Sequence, residues 1–107
     1  MNKIKNNKEF IELLRSIFDW QWYYDINTTR LFIHLLLKVN LEDRKWRELT
    51  IKSGSLVGTV NALSLETNLS IQQVRTALNK LKSSNEITIK SNKKFSIISI
   101  NDWIKNG

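Results

Sequence analysis

Residues Thr59–Ser83, TVNALSLETNLSIQQVRTALNKLKS, read as two short helices joined by a tight turn. Ser70 is a strong N-cap residue, because its hydroxyl can accept a hydrogen bond from an unpaired amide of the first helical turn. The second helix is therefore predicted to begin at Ile71. Ile71, Val74, Leu78 and Leu81 recur at helical spacing and, with Ala77, form one apolar stripe that must be buried. Gln72, Gln73, Thr76, Asn79 and Lys80 then face away from the core. Thr59 caps the first helix, about Val60–Glu66, which directs Leu63 and Thr67 toward the second. Asn68 falls where the turn needs a left-handed residue, and Leu69 plugs the core beneath it. The spacing predicts a helix-turn-helix over about 59–83.

Beyond it, Glu86–Lys90 and Phe95–Ile100 alternate polar and apolar residues around Ser91-Asn92-Lys93-Lys94. They predict a β-hairpin, a wing over about 86–100, with Ile87, Ile89, Phe95 and Ile97 on a shared apolar face. Before the two helices, Asn27 is a candidate cap for a helix running to about Asn40 that is apolar almost all round. Such a helix is central to a core or has a second face covered by another subunit. A helical pattern over Phe10–Phe18 leads into the aromatic cluster Asp19–Asp25. Leu41–Arg47 reads as a charged loop, and Glu48–Ile51 and Gly54–Val57 as short extended pieces. Trp103, near the end, is expected to pack back on the domain. The fold expected is mainly α with a small β-hairpin, a winged helix-turn-helix, in a single domain spanning residues 1–107.

The 107 residues are 41% hydrophobic, which suits one core. There is no cysteine, so disulfides and thiolate metal sites are excluded. The longest apolar run, Leu31–Leu37, is interrupted by His34 and is far shorter than the roughly 20 residues a membrane span needs. The polar start MNKIKNNKEF lacks the apolar segment of a secretory signal, so a cytoplasmic location is expected. His34 has no second His or Cys to share a metal with and is read as structural. Asp25, Glu42, Asp43 and Glu48 show no paired-carboxylate spacing, and no glycine loop could cradle a phosphate. Neither an enzyme, a cofactor, a small-molecule substrate nor a membrane partner is expected.

Charge placement points to a polyanion. Residues 1–69 carry ten Lys/Arg against eight Asp/Glu, net +2, whereas residues 70–107 carry seven against two, net +5. Each phosphate neutralised releases counterions, so double-stranded DNA is the expected partner. Side-chain amides can pair with adenine, which makes Gln72, Gln73, Thr76 and Asn79 the base-edge candidates. Ser70, Arg75, Lys80, Lys82, Lys90, Lys93 and Lys94 are the phosphate candidates. Trp20, Trp22, Tyr23 and Tyr24 could stack on unpaired bases, but their place between two apolar helices favours core packing or a subunit interface. Trp20, Trp22, Tyr23 and Leu65 are the self-association candidates.

With these pieces in place, the chain resembles the N-terminal winged-helix domain of Gram-positive phage replisome organisers, relatives of the DnaD-type primosomal proteins. The stretches that carry the resemblance are Leu14–Tyr23, Thr29–Asn40, Lys45-Trp46-Arg47 through Val57, and Leu69–Leu78. The resemblance implies binding to a replication origin, self-association into a homo-oligomer, and recruitment of helicase-loading proteins. In the family that recruitment belongs to a separate C-terminal domain, expected to be absent from these 107 residues. The chain departs from the family pattern at Asn68, where a turn glycine is usual, and at Asn61, Ala62 and Leu65, where more polar residues are typical. Two alternatives stay open: a winged-helix module that mainly oligomerises or holds another protein, and a transcriptional regulator using the same DNA face.

Overall fold

A computed structural model describes residues 15–101. The expected helix over Phe10–Phe18 and the packing of Trp103 fall wholly or partly outside that range. A short 3-10 turn, Arg15–Asp19, leads through the aromatic cluster into helix α1, Ile26–Lys38. Strands β1 (Arg44–Trp46), β2 (Leu49–Ile51) and β3 (Ser55–Gly58) follow. Helices α2 (Val60–Thr67) and α3 (Ile71–Ser83) come next, then strands β4 (Ile87–Ser91) and β5 (Ser96–Ile100). The result is an α+β arrangement of three helices and two small antiparallel sheets, one pairing β1 with β2 and the other ordered β3-β5-β4. β2 and β3 form on the extended pieces expected over Glu48–Ile51 and Gly54–Val57, but Arg44–Trp46 is a strand rather than a loop and β3 adds itself to β5, so the β content exceeds the small hairpin of the expected mainly α fold.

The junction between α2 and α3 follows the local signals closely. Thr59 Oγ1 accepts from the Ala62 N–H, which caps α2. Asn68 adopts φ 62° and ψ 23°, the left-handed conformation that ends a helix and that Asn tolerates better than most residues. Ser70 opens α3 with a capping box. Its Oγ accepts from the Gln73 N–H at 3.0 Å, while Gln73 Oε1 accepts from the Ser70 N–H at 2.9 Å. At the other end Asn85, at φ 69°, closes a Schellman motif. The Glu86 N–H donates to Leu81 O and the Asn85 N–H to Lys82 O, so α3 stops and the chain turns directly into β4.

The core lies beneath α3. Val74, Ala77, Leu78 and Leu81 are buried, as the apolar stripe requires, and pack with Leu31 and Leu35 of α1, Leu63 of α2, Leu56 of β3 and Ile87, Ile98 and Ile100 of the sheet. Ile71, expected on that stripe, is 41% exposed, since the first turn overhangs the core edge.

The hairpin needs a correction in register. Ile87 pairs with Ile100 and Ile89 with Ile98, so those four share the inward face. Ile97 pairs with Lys90 and lies on the opposite face, and Phe95 precedes β5. Because strand faces alternate with a period of two, counting from Phe95 instead of Ile98 moves the whole strand to the wrong side.

α1 also starts earlier than expected. Asp25 rather than Asn27 is the N-cap, its Oδ1 accepting from the Thr28 N–H at 3.1 Å. Only Thr28, Leu31 and Leu35 of this helix are buried, and Leu37 is exposed. The polar residues between them form a second stripe at i, i+4 and i+8: Arg30 Nε donates to Thr67 O at 2.8 Å, His34 Nε2 lies 2.8 Å from Glu66 Oε1, and Lys38 pairs with Glu66 Oε2. This stripe ties α1 to the C-terminal end of α2.

Leu81 is completely buried at the centre of the core. Leu81→Ala should cost about 2–5 kcal/mol, from lost transfer energy plus the cavity left behind. Urea unfolding followed by tryptophan fluorescence measures it. A loss below about 1 kcal/mol would show that α3 is not the packing centre.

Candidate nucleic-acid interface

Burial of the stripe Val74-Ala77-Leu78-Leu81 fixes which side of α3 is free. Diametrically opposite, at helical spacing, stand Gln72, Thr76, Asn79 and Ser83, all exposed. These are short, neutral, hydrogen-bonding side chains. Gln72 Nε2 donates to Thr76 Oγ1 at 3.2 Å across the solvent-exposed surface.

The two flanks of that face differ. On the side toward the β4–β5 hairpin, Arg75 and Lys82 join Asn79, Ser91 and Ser96 around a cleft of about 290 Å³. On the side toward α1, Gln73 and Lys80 join Asp25 and Asn27 around a smaller cleft of about 130 Å³. Lys80 is not a free cation: its Nζ donates to Asp25 Oδ2 at 2.5 Å and sits 5.6 Å from the centre of the Trp22 ring. The Lys80 ammonium, with smaller help from the Thr28 N–H, holds the Asp25 carboxyl below its ordinary value against the opposing effect of burial. One flank is therefore cationic and the other close to neutral. Across residues 70–101 there are six Lys/Arg and one acid, Glu86, whose Oε2 accepts from Trp20 Nε1.

The site residues expected from sequence thus separate into three groups. Gln72, Thr76 and Asn79 share the exposed face, with Gln72 bonded to Thr76 along it. Gln73 and Ser70 are engaged in the capping box, which uses the Gln73 amide oxygen and the Ser70 hydroxyl; both roles assigned to them from sequence compete with the cap. Arg75, Lys82, Lys90, Lys93 and Lys94 are exposed cations, and Lys80 is paired. Lys93 and Lys94 ride on a fixed turn, since Asn92 Oδ1 accepts from the Lys94 and Phe95 N–H groups at 2.7 and 2.9 Å. Sequence reasoning missed the Lys80–Asp25 pair because the partners lie 55 positions apart.

Of the self-association candidates, Trp20 and Trp22 are committed internally. Trp20 packs on Phe32 with ring centres 4.9 Å apart, and Trp22 Nε1 donates to Ser84 Oγ at 2.8 Å. Together they clamp the C-terminal end of α3. Tyr23 stacks edge-on between Phe18 and Tyr24. Leu65 is 85% exposed. Among the described residues no His/Cys/Asp/Glu group could hold a metal ion, and no helix is long and apolar enough to cross a membrane. No protein-family model, curated protein or solved structure matches the chain.

Asp25 and Glu66 are both held below ordinary carboxyl values, Glu66 chiefly by Lys38 and then by His34. A carboxyl depressed on folding adds stability that is fully present above its unfolded value and is lost as the pH falls through its folded one. The urea midpoint should therefore be insensitive to these groups above about pH 5 and fall as the pH drops below about 4. Asp25→Asn keeps a capping side chain but removes the ion pair, so its midpoint should be lower at neutral pH and decline less in acid. Superimposable acid profiles for the two proteins would show that the pair contributes nothing.

Proposed function

We propose that the chain is a winged helix-turn-helix domain that binds double-stranded DNA and serves phage-type replication initiation. In this reading α2 and α3 are the motif helices, α3 enters the major groove, and the β4–β5 hairpin is the wing. Apart from the β1–β2 hairpin inserted after α1, the order helix, strand, helix, helix, strand pair, with β3 closing the sheet against β5, supports it.

The observation that carries the reading is the face of α3 opposite the core. An exposed row of Gln72, Thr76, Asn79 and Ser83 has the donors and acceptors that base edges require, and Arg75 and Lys82 beside it suit phosphates. Because the α1 flank is neutralised by Asp25, the phosphate backbone would follow the hairpin side, where Lys90, Lys93 and Lys94 continue the positive charge. The replication role rests on the sequence resemblance carried by Leu14–Tyr23, Thr29–Asn40 and Leu69–Leu78. Self-association is supported by the exposed apolar side chains Tyr24, Ile26, Leu37 and Leu65. Those same residues favour the second reading, an oligomerising module for which DNA is incidental.

Selection of bound duplexes from a random pool at near-physiological salt tests the proposal. A defined sequence should emerge, and Gln72→Ala or Asn79→Ala should alter the preferred base at a cost of about 1–3 kcal/mol per lost bidentate contact. Replacing Lys93 and Lys94 together with Ala should weaken binding alike on all sequences and flatten its salt dependence. A pool that stays random, with both kinds of variant losing equally, favours the oligomerising module.

A further inference from the structure

The β1–β2 hairpin lies outside the surface assigned above, yet its tip touches the tip of the β4–β5 hairpin. The Trp46 ring meets the Phe95 ring edge-on with centroids 4.7 Å apart. Arg47 lies on the Trp46 ring, its guanidinium carbon 4.4 Å from the centroid. Phe95 belongs to the turn that carries Lys93 and Lys94, and that turn is closed further by the Asn92 N–H donating to Phe95 O at 3.0 Å. Arg47, Lys93 and Lys94 are thus carried on one stacked unit built from two hairpin tips.

The backbone at Arg47 points the same way. Its φ of 58° lies in the left-handed region, where Gly, Asn or Asp is the favoured residue. A long cation at that position is locally unfavourable, and among the described residues no carboxylate pairs with it. The two-residue turn between Trp46 and Leu49 requires that conformation, and Gly or Asn would adopt it at lower cost. Arginine suits one task in particular: its planar group can lie on an indole face while its edge N–H groups remain free to donate to a phosphate, which a lysine ammonium cannot do.

We propose that the β1–β2 hairpin is a second wing, whose Arg47 contacts the phosphate backbone of the same duplex beside Lys93 and Lys94. The inference rests on the DNA-binding reading. Trp46 and Phe95 are positioning residues, which hold the cation level with the first wing. The contact is independent of base sequence, and it widens the footprint on the side away from α1.

The test is the salt dependence of binding to one labelled duplex, with the melting temperature of each variant as a folding control. Arg47→Asn suits the left-handed backbone and removes only the cation. It should weaken binding about threefold to tenfold near 0.15 M salt and reduce the slope of log affinity against log salt by about 0.9. Arg47→Lys keeps the charge but not the planar group that stacks and donates at once, so it should fall between the wild type and Arg47→Asn in both affinity and slope. Trp46→Ala should lose affinity like Arg47→Asn although the charge remains, and Trp46→Phe should restore it. If the wild type binds and Lys93/Lys94→Ala lowers the slope while Arg47→Asn changes neither affinity nor slope, the second wing is overturned and the first reading stands. A wild type with no affinity for duplex DNA overturns both.

Discussion

Burial of one stripe of α3 is the constraint on which the molecule depends. Val74, Ala77, Leu78 and Leu81 insert between α1, α2 and the inward face of the three-stranded sheet, so each neighbouring element is positioned by its contact with this helix. An amphipathic helix cannot bury one side without committing the other to solvent. The exposed row Gln72-Thr76-Asn79-Ser83 is therefore as firmly set as the core itself. Both ends of α3 are also fixed: the capping box at Ser70 and Gln73 defines its start, and the Schellman turn at Asn85, with Trp20 bonded to Glu86 and Trp22 to Ser84, defines its end. Fixed ends matter for recognition, since bidentate contacts to base edges need side chains whose origin does not shift.

Electrostatics then divides the surface around that helix. Lys80 is held by Asp25, the residue that also caps α1, so a single carboxylate serves a helix end and neutralises a flank. Arg75 and Lys82 remain on the hairpin side. On the DNA-binding reading a duplex would meet the unpaired cations of α3 on the hairpin side, where the β1–β2 and β4–β5 tips are joined through Trp46 and Phe95. Glu66, by contrast, spends its charge on Lys38 and His34 at the junction of α1 and α2, where it serves the fold.

Much of this was legible in the sequence wherever the signal was local. Thr59, Asn68 and Ser70 announce the bounds of α2 and α3, because caps and left-handed turns are decided by a residue and its near neighbours. The alternation after Glu86 announces a hairpin. What escaped was decided at a distance. The face of β5 depends on its register against β3 and β4, and Ile97 and Ile98 both look apolar until pairing chooses between them. Arg44–Trp46 looks like a charged loop until β2 folds against it. The capping duty of Gln73 is visible in principle, as Ser-x-x-Gln is a capping box, but the same amide also suits a base edge, and the sequence alone does not choose between the two uses. The stripe Arg30-His34-Lys38 also shows helical spacing, and only the position of Glu66 and of the α2 carbonyl end reveals its purpose.

The central claim is that the side of α3 turned away from the core is the surface that meets duplex DNA. Titration of the isotopically labelled chain with a selected duplex, followed by two-dimensional amide NMR, addresses it residue by residue. Shifts or broadening should concentrate at Gln72, Arg75, Thr76, Asn79 and Ser83 and at the Asn92–Phe95 turn, with the far side of α1 around His34 and Leu37 unchanged. Perturbations confined to Leu37, Leu65 and the Tyr23–Tyr24 region, with α3 silent, would contradict the account.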